Sequence, residues 1–227
     1  MKIVPRVVDI YHGDVLTSDT IANRDPVSDF KAMAEVGIWG LIHKATQGLR
    51  MTDTAYAPRV KAARNAGLLT GAYHFNTGDS IAGQVNHFFD AAEPDANTLM
   101  ALDFEDNRAS QMSLSQAAQF LQLADEKLGR PLWLYGGNRP KELLANASAE
   151  IRALFSKRHW WLCQYSSAPS VLDYNHKPMP WSDFTIWQFT GDGVGPTPHI
   201  LPGIKTKGID INHFAGTRDE LAAAWVN

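Results

Sequence analysis

Short apolar runs alternate along most of this chain with longer stretches whose apolar residues recur every three or four positions. Val7-Val8-Asp9-Ile10 reads as a first strand, and residues 40–45, 68–75, 98–104 and 131–135 read as four more. Helical stripes fall between them. One opens at Asp25-Pro26 with Val27, Phe30 and Ala34 on one face and ends at Gly37. Another covers about 54–66 and stops at Gly67. A third, capped by Asp79, carries Ile81, Val85, Phe88 and Ala92, and a fourth opens with a Ser113…Gln116 capping box before Ala117, Leu121, Ala124 and Leu128. A fifth helical segment runs on to about Phe155.

After that the rhythm changes. Residues 160–165, 185–189 and 208–211 still look like strands, but Pro, Gly, Asp and Ser fill the connections, and only 218–225 is helical again. Five strand–helix units followed by three further strands predict an α/β fold: a single irregular TIM-like barrel, (β/α)5(β)3, with eight strands and a C-terminal helix over residues 1–227. A doubly wound open sheet is the alternative, disfavoured because no Gly-rich phosphate loop follows the first strand.

In such a barrel, chemistry collects where the strands end. The strand ends carry, in order, Asp9, Lys44 with Thr46, His74, Asp103 with Glu105, Tyr135, Gln164 with Tyr165, Gln188 and Asp210. In Asp103-Phe104-Glu105 the two-residue period puts both acids on one face with Phe104 behind them. Like charges so placed raise at least one pKa, which suits acid catalysis. Asp9 and Asp210 are each flanked by apolar residues, and a carboxylate buried without a partner costs several kcal/mol. The expectation is a cleft built around Asp9, Asp103, Glu105 and Asp210.

Composition narrows the partners. The chain is 44% hydrophobic and 20% charged with a formal net charge of −3, so no basic surface argues for nucleic acid. No stretch is long enough to span a bilayer, and the N-terminus lacks the apolar core of a signal peptide. The seven Trp fit sugar platforms as well as core packing. The lone Cys163, inside an apolar run, is expected to be a buried, inert thiol.

With these residues in view, the chain resembles the family-25 glycoside hydrolases, the Chalaropsis-type lysozymes found in phage endolysins, bacteria and fungi. The matching segments are Val8-Asp-Ile10, Ile42-His-Lys-Ala-Thr-Gln-Gly48, Gly71-Ala-Tyr-His-Phe75, Leu102-Asp-Phe-Glu105, Leu134-Tyr135, Trp161-Leu-Cys-Gln-Tyr165, Trp187-Gln-Phe189 and Gly208-Ile-Asp-Ile-Asn212. Their shared order and spacing carry the resemblance. It implies an N-acetylmuramidase that cuts the β-1,4 bond between N-acetylmuramic acid and N-acetylglucosamine, without a cofactor. It implies Glu105 as general acid, Asp103 as its partner, and Asp9 and Asp210 as further acids. Tyr73, Tyr135 and Trp187 would border the sugar subsites, and His74, Gln164, Tyr165, Gln188 and Lys44 would also contact substrate. The expected partner is the peptidoglycan glycan strand, met by a monomer outside the cytoplasm. With no signal peptide or separate wall-binding domain in view, export would follow an unconventional route or the chain would be a trimmed form.

Two stretches depart from the family's pattern, the polar loop 13–25 and the Gly- and Pro-rich loop 192–207, both longer than expected. Rival readings are a catalytically silent cell-wall sugar-binding module and a metal-dependent hydrolase on the same barrel using His12, His43 and His74. The metal reading lacks the usual His-x-His after the first strand, since Tyr11-His12-Gly13 does not supply it. A chitinase is disfavoured because 98–102 is apolar where spaced aspartates would be needed.

Overall fold

The computed structural model describes residues 2–172, 175–177 and 179–227. Its frame is a ring of parallel strands: β1 (Pro5–Ile10) pairs with β2 (Gly40–Gln47), to which a two-residue strand β3 (Met51–Thr52) folds back. Next come β4 (Leu69–Phe75), β5 (Thr98–Asp103), β6 (Trp133–Gly136), β7 (Trp160–Cys163) and β8 (Ile186–Thr190), each parallel to the one before. The last strand, β9 (Asp210–His213), runs antiparallel to both β8 and β1 and closes the barrel. The expected eight-stranded (β/α)5(β)3 barrel is therefore present, with one strand reversed. Reversal puts Asp210 at the start of β9, paired with Asp9 at the rim where the parallel strands end. Asp210 thus reaches that rim from the opposite chain direction.

Helices α1 (Pro26–Glu35), α2 (Tyr56–Asn65), α3 (Ile81–Ala92) and α4 (Leu114–Leu128) fill the first four crossovers, as the apolar stripes predict. The segment after β6 divides into α5 (Asn138–Ala145) and α6 (Ala149–Ser156), where a single helical segment was expected. Ser113 and Gln116 form the predicted capping box. The cap of α3 is Ser80, which accepts from the Gly83 N–H, and not Asp79, whose carboxylate accepts from the Thr77 hydroxyl instead.

Strand alternation sorts side chains into two packed shells. Val8, Leu41, Met100, Leu102, Leu134, Leu162 and Trp187 face outward to the helices. Val7, Ile42, Leu99, Ala101, Trp133, Trp161 and Ile186 fill the barrel interior. Leu221 and Trp225 of α7 (Arg218–Trp225) join this interior cluster, and the Trp225 indole donates to Thr70 O. Trp225 also lies over Gly40, at the start of β2, where a Cβ would meet its ring. One end of the barrel is thus plugged by tryptophan, and the polar residues emerge at the other.

The two long loops are joined. Leu16 and Ile204 form a bridge, Thr17 N donates to Gly203 O, and Lys205 N donates to Val15 O. A short 3-10 turn, Ser18–Thr20, lies within the first loop.

Candidate active site

At the open end, Asp9, Lys44, Tyr73, Asp103, Tyr135 and Asp210 line a cavity of about 310 Å³. All are inward positions, so the same alternation that builds the apolar interior lifts these groups into the cavity one layer higher. Glu105, two residues beyond Asp103, belongs both to this cavity and to an open lobe of about 600 Å³ formed with Gly137, Arg139, Cys163 and Gln164. Tyr165 also lines both. Phe104 is fully buried in the outer shell, as the alternation requires. The four expected acids therefore share one cleft, with Glu105 at the junction of its two parts.

Burial dominates their protonation. Glu105 is pushed up to about 7 chiefly by burial, with Asp192 and Asp106 adding to the rise and the Cys163 thiol opposing it. Of the two neighbours Asp103 and Asp106 expected to raise Glu105, Asp106 does so, whereas Asp103 is instead the acid that Glu105 perturbs. Its carboxyl lies well above the usual range through burial and then the Glu105 charge, with Lys44 opposing. Asp210 rises to about 9 through burial, Asp9 and Asp192. Asp9 rises to about 7 by burial, held back by hydrogen bonds from Asn212 and Gln188. One oxygen of Asp103, Oδ1, is buried without a protein partner.

Not every expected substrate contact reaches the cleft. His74 is fully buried on the outward face, bonded to Thr46 Oγ1 (2.7 Å) and Gln84 Oε1 (3.1 Å) and stacked on Phe120. Burial lowers its pKa to about 4 and keeps it neutral. Trp187 is likewise outward, its indole donating to Gln164 O. The reason is parity: Tyr73 and Gln188 point inward, so their chain neighbours cannot. Gln188 is fully buried beneath the cavity, where it accepts from Tyr135 OH and donates to Asp9. Gln164 lines the lobe, its Oε1 taken by Lys141 Nζ and Ser170 N. Lys44 donates to Gln47 and lies over the Phe75 ring at the cavity edge.

Cys163 corrects a further expectation. It is half-buried and lines the lobe beside Glu105, although burial and that charge keep its thiol protonated. Asp192 and Asn212 also escaped notice. Asn212 stands two residues after Asp210 on the inward face, a signal available from period alone, whereas Asp192 arrives on an irregular loop. Among the described residues, no group of three or more His, Cys, Asp or Glu is arranged to hold a metal ion. None of the described helices is long and apolar enough to cross a membrane.

Known proteins align with this geometry. A bacterial lysozyme from Streptomyces coelicolor superposes with a TM-score of 0.76 at 22% identity, covering 100% of this chain and 99% of that one. A family GH25 lysozyme from Aspergillus fumigatus gives 0.74 at 23% identity, covering 98% and 99%. In sequence, the autolytic lysozyme of Clostridium acetobutylicum is 39% identical over 61 residues, 27% of this chain and 19% of that protein. The uncharacterized protein YegX of Escherichia coli O157:H7 is 23% identical over 189 residues, 79% of this chain. The match spans 60% of the length of YegX. The family described as Glycosyl hydrolases family 25 matches residues 19–197, and the chain belongs to that family.

Proposed function

We propose that this chain is a peptidoglycan hydrolase of the muramidase type, cutting the β-1,4 bond between N-acetylmuramic acid and N-acetylglucosamine in the cell wall. The observation that carries the reading is the place of Glu105: a carboxyl raised to about 7, where a cavity lined by four aspartates meets an open lobe. A sugar seated in the cavity and its neighbour in the lobe would bring the linking oxygen to Glu105. Near neutrality such a group holds a proton to give and remains basic enough to take one back. The lysozymes among the structural relatives and the family match support the same substrate class.

The proposed first step breaks the C1–O bond as Glu105 protonates the departing oxygen. The carbonyl oxygen of the substrate's own 2-acetamido group then bonds to C1. Asp103 suits the role of positioning that acetamido group, because a carboxyl held neutral by burial is a poor nucleophile yet, lining the cavity, can accept the amide N–H. Water subsequently opens the cyclic intermediate, giving its proton to Glu105 and regenerating the acid.

The test is digestion of purified peptidoglycan by wild type and Glu105→Gln, with mass spectrometry of the fragments. Wild type should release muropeptides with muramic acid at the reducing end, and the variant should lose that activity. Full activity in the variant, or cleavage of peptide bonds alone, overturns the reading. Wall binding without release of reducing sugar would favour a silent sugar-binding module instead.

A further inference from the structure

Beneath the cavity, Asp9 is met only by donors. Asn212 Nδ2 donates to its Oδ1 at 2.7 Å, and Gln188 Nε2 lies 3.1 Å and 3.0 Å from its two oxygens. Carboxamides can usually turn over and offer oxygen instead of nitrogen, but here Asn212 is locked and Gln188 is held by its two partners. The Trp161 indole N–H, which can only donate, takes Asn212 Oδ1 at 2.5 Å and so commits the Asn212 NH2 to Asp9 and Val7 O. The Tyr135 hydroxyl donates to Gln188 Oε1 at 2.7 Å, and the Asp9 oxygens that accept from Gln188 Nε2 hold that amide in the same sense. Gln188 and Asn212 are fully buried, and neither lines the cavity.

We propose that Trp161–Asn212 and Tyr135–Gln188 form a two-armed amide clamp that makes Asp9 the first of the three strand-borne cavity aspartates (Asp9, Asp103 and Asp210) to ionise, so that the fixed negative charge among them resides there. Trp161, Tyr135, Asn212 and Gln188 are, in this role, positioning residues. A proton on Asp9 would face N–H groups on both oxygens, whereas a charge there is solvated by them. Asp103 lacks such help, with Oδ1 unpartnered.

The surroundings agree. Facing Asp9 are Asp14 from the loop after β1, Asp103 and Glu105 from β5 and the turn beyond it, Asp210 from β9, and Asp192 after β8. The remaining titratable neighbours are Tyr73, Tyr135, Cys163 and Tyr165, all kept neutral by burial, and the cation Lys44 on β2. In so acidic a setting the charges oppose one another, and hydrogen bonds decide where they sit first. Asp9 accordingly rises only to about 7, against about 9 for Asp210. A negative charge fixed in the cavity complements the positive charge that develops on the sugar during cleavage.

This inference rests on the muramidase reading for its catalytic meaning, and its test separates the two. Carboxyl-carbon NMR titration of the intact wild-type protein, with Asp9→Asn to assign the signal, should show Asp9 losing its proton before Asp103 and Asp210. That order can be read whether or not the protein turns over peptidoglycan. In kinetics, Asn212→Leu and Gln188→Met should each move the acidic limb of the kcat/KM profile up by about one pH unit, with KM unchanged. Should either variant fail to fold, Tyr135→Phe removes only the hydroxyl that pairs with Gln188 Oε1 and predicts the same upward movement. An Asp9 that titrates last, or a folded clamp variant whose Asp9 signal and acidic limb stay in place, overturns the proposal.

Discussion

The carboxyl of Glu105 and the thiol of Cys163, at the end of β7, share the wall of the open lobe, and the thiol acts on the carboxyl as a hydrogen-bond donor. A donor to the charged form lowers a carboxyl pKa, so this contact partly offsets the rise that burial causes. Cys163→Ala should therefore carry the basic limb of kcat/KM, where Glu105 loses its proton, to higher pH than the wild-type limb near 7. The same thiol, held protonated, should react slowly with a thiol-specific reagent in the native protein and readily once unfolded. A basic limb that stays put or moves down in Cys163→Ala would contradict the assignment of Glu105 as the acid.

Gly191, just after β8, has space for no side chain. A Cβ there would collide with Asp210 Oδ1 and the Tyr165 hydroxyl. Both groups line the cavity, so the backbone itself forms a wall that sets their positions. Gly191→Ala should lower kcat/KM by about a hundredfold, the scale of a roughly 1 Å misplacement, while the thermal midpoint moves little. Unchanged kinetics in a folded variant would mean that Asp210 and Tyr165 can be displaced without consequence.

The period-two pattern explains both what sequence discloses here and what it conceals. On several strands the last inward apolar residue is followed two positions later by a cleft residue, as in Val7 to Asp9, Ala101 to Asp103 or Trp133 to Tyr135, so the strands and the acids at their ends could be read directly. The same rule forbids neighbours from sharing a face, and respecting it would have sent His74 outward once Tyr73 was placed inward. Strand direction is a different matter. Alternation reads the same in either sense, and the Pro- and Gly-rich connection before β9 gives no helical crossover to imply parallel pairing. The bridge from Leu16 to Ile204 joins loops far apart in sequence and has no local signature at all.

Stability should record the cost of keeping Glu105 in its place. A carboxyl whose folded pKa is raised binds more protons folded than unfolded between about 4.5 and about 7. It therefore opposes folding increasingly as pH rises through that window, and fully above it. Glu105→Gln removes the titration, and should gain up to about 3 kcal/mol at pH 8 and nothing below pH 4. Urea unfolding of both proteins at several pH values measures this difference. A gain confined to acidic pH would reverse the sign and refute the assignment.

Arg59 of α2 ties the first long loop to the barrel. Its guanidinium donates to Tyr11 O at 2.8 Å, Asp14 O at 2.7 Å and Asp19 Oδ2 at 2.9 Å. The residue is buried, so replacing it with Met keeps much of the apolar contact but strips hydrogen-bond partners from two carbonyls and a carboxylate. The expected loss is about 2–3 kcal/mol, appearing first as local opening because the loop's other ties are its bridge to the 192–207 segment and the bonds of Ser18 N and Arg24 to Asp29 of α1. Limited proteolysis should then cut Arg59→Met within residues 13–25 before the barrel is attacked. Asp14 gives an independent readout, because Arg59 opposes the burial that raises its carboxyl. Its pKa should climb further in the folded variant, and an unchanged Asp14 titration together with an unchanged cleavage pattern would assign the loop's order to the bridge and the Asp29 contacts without Arg59.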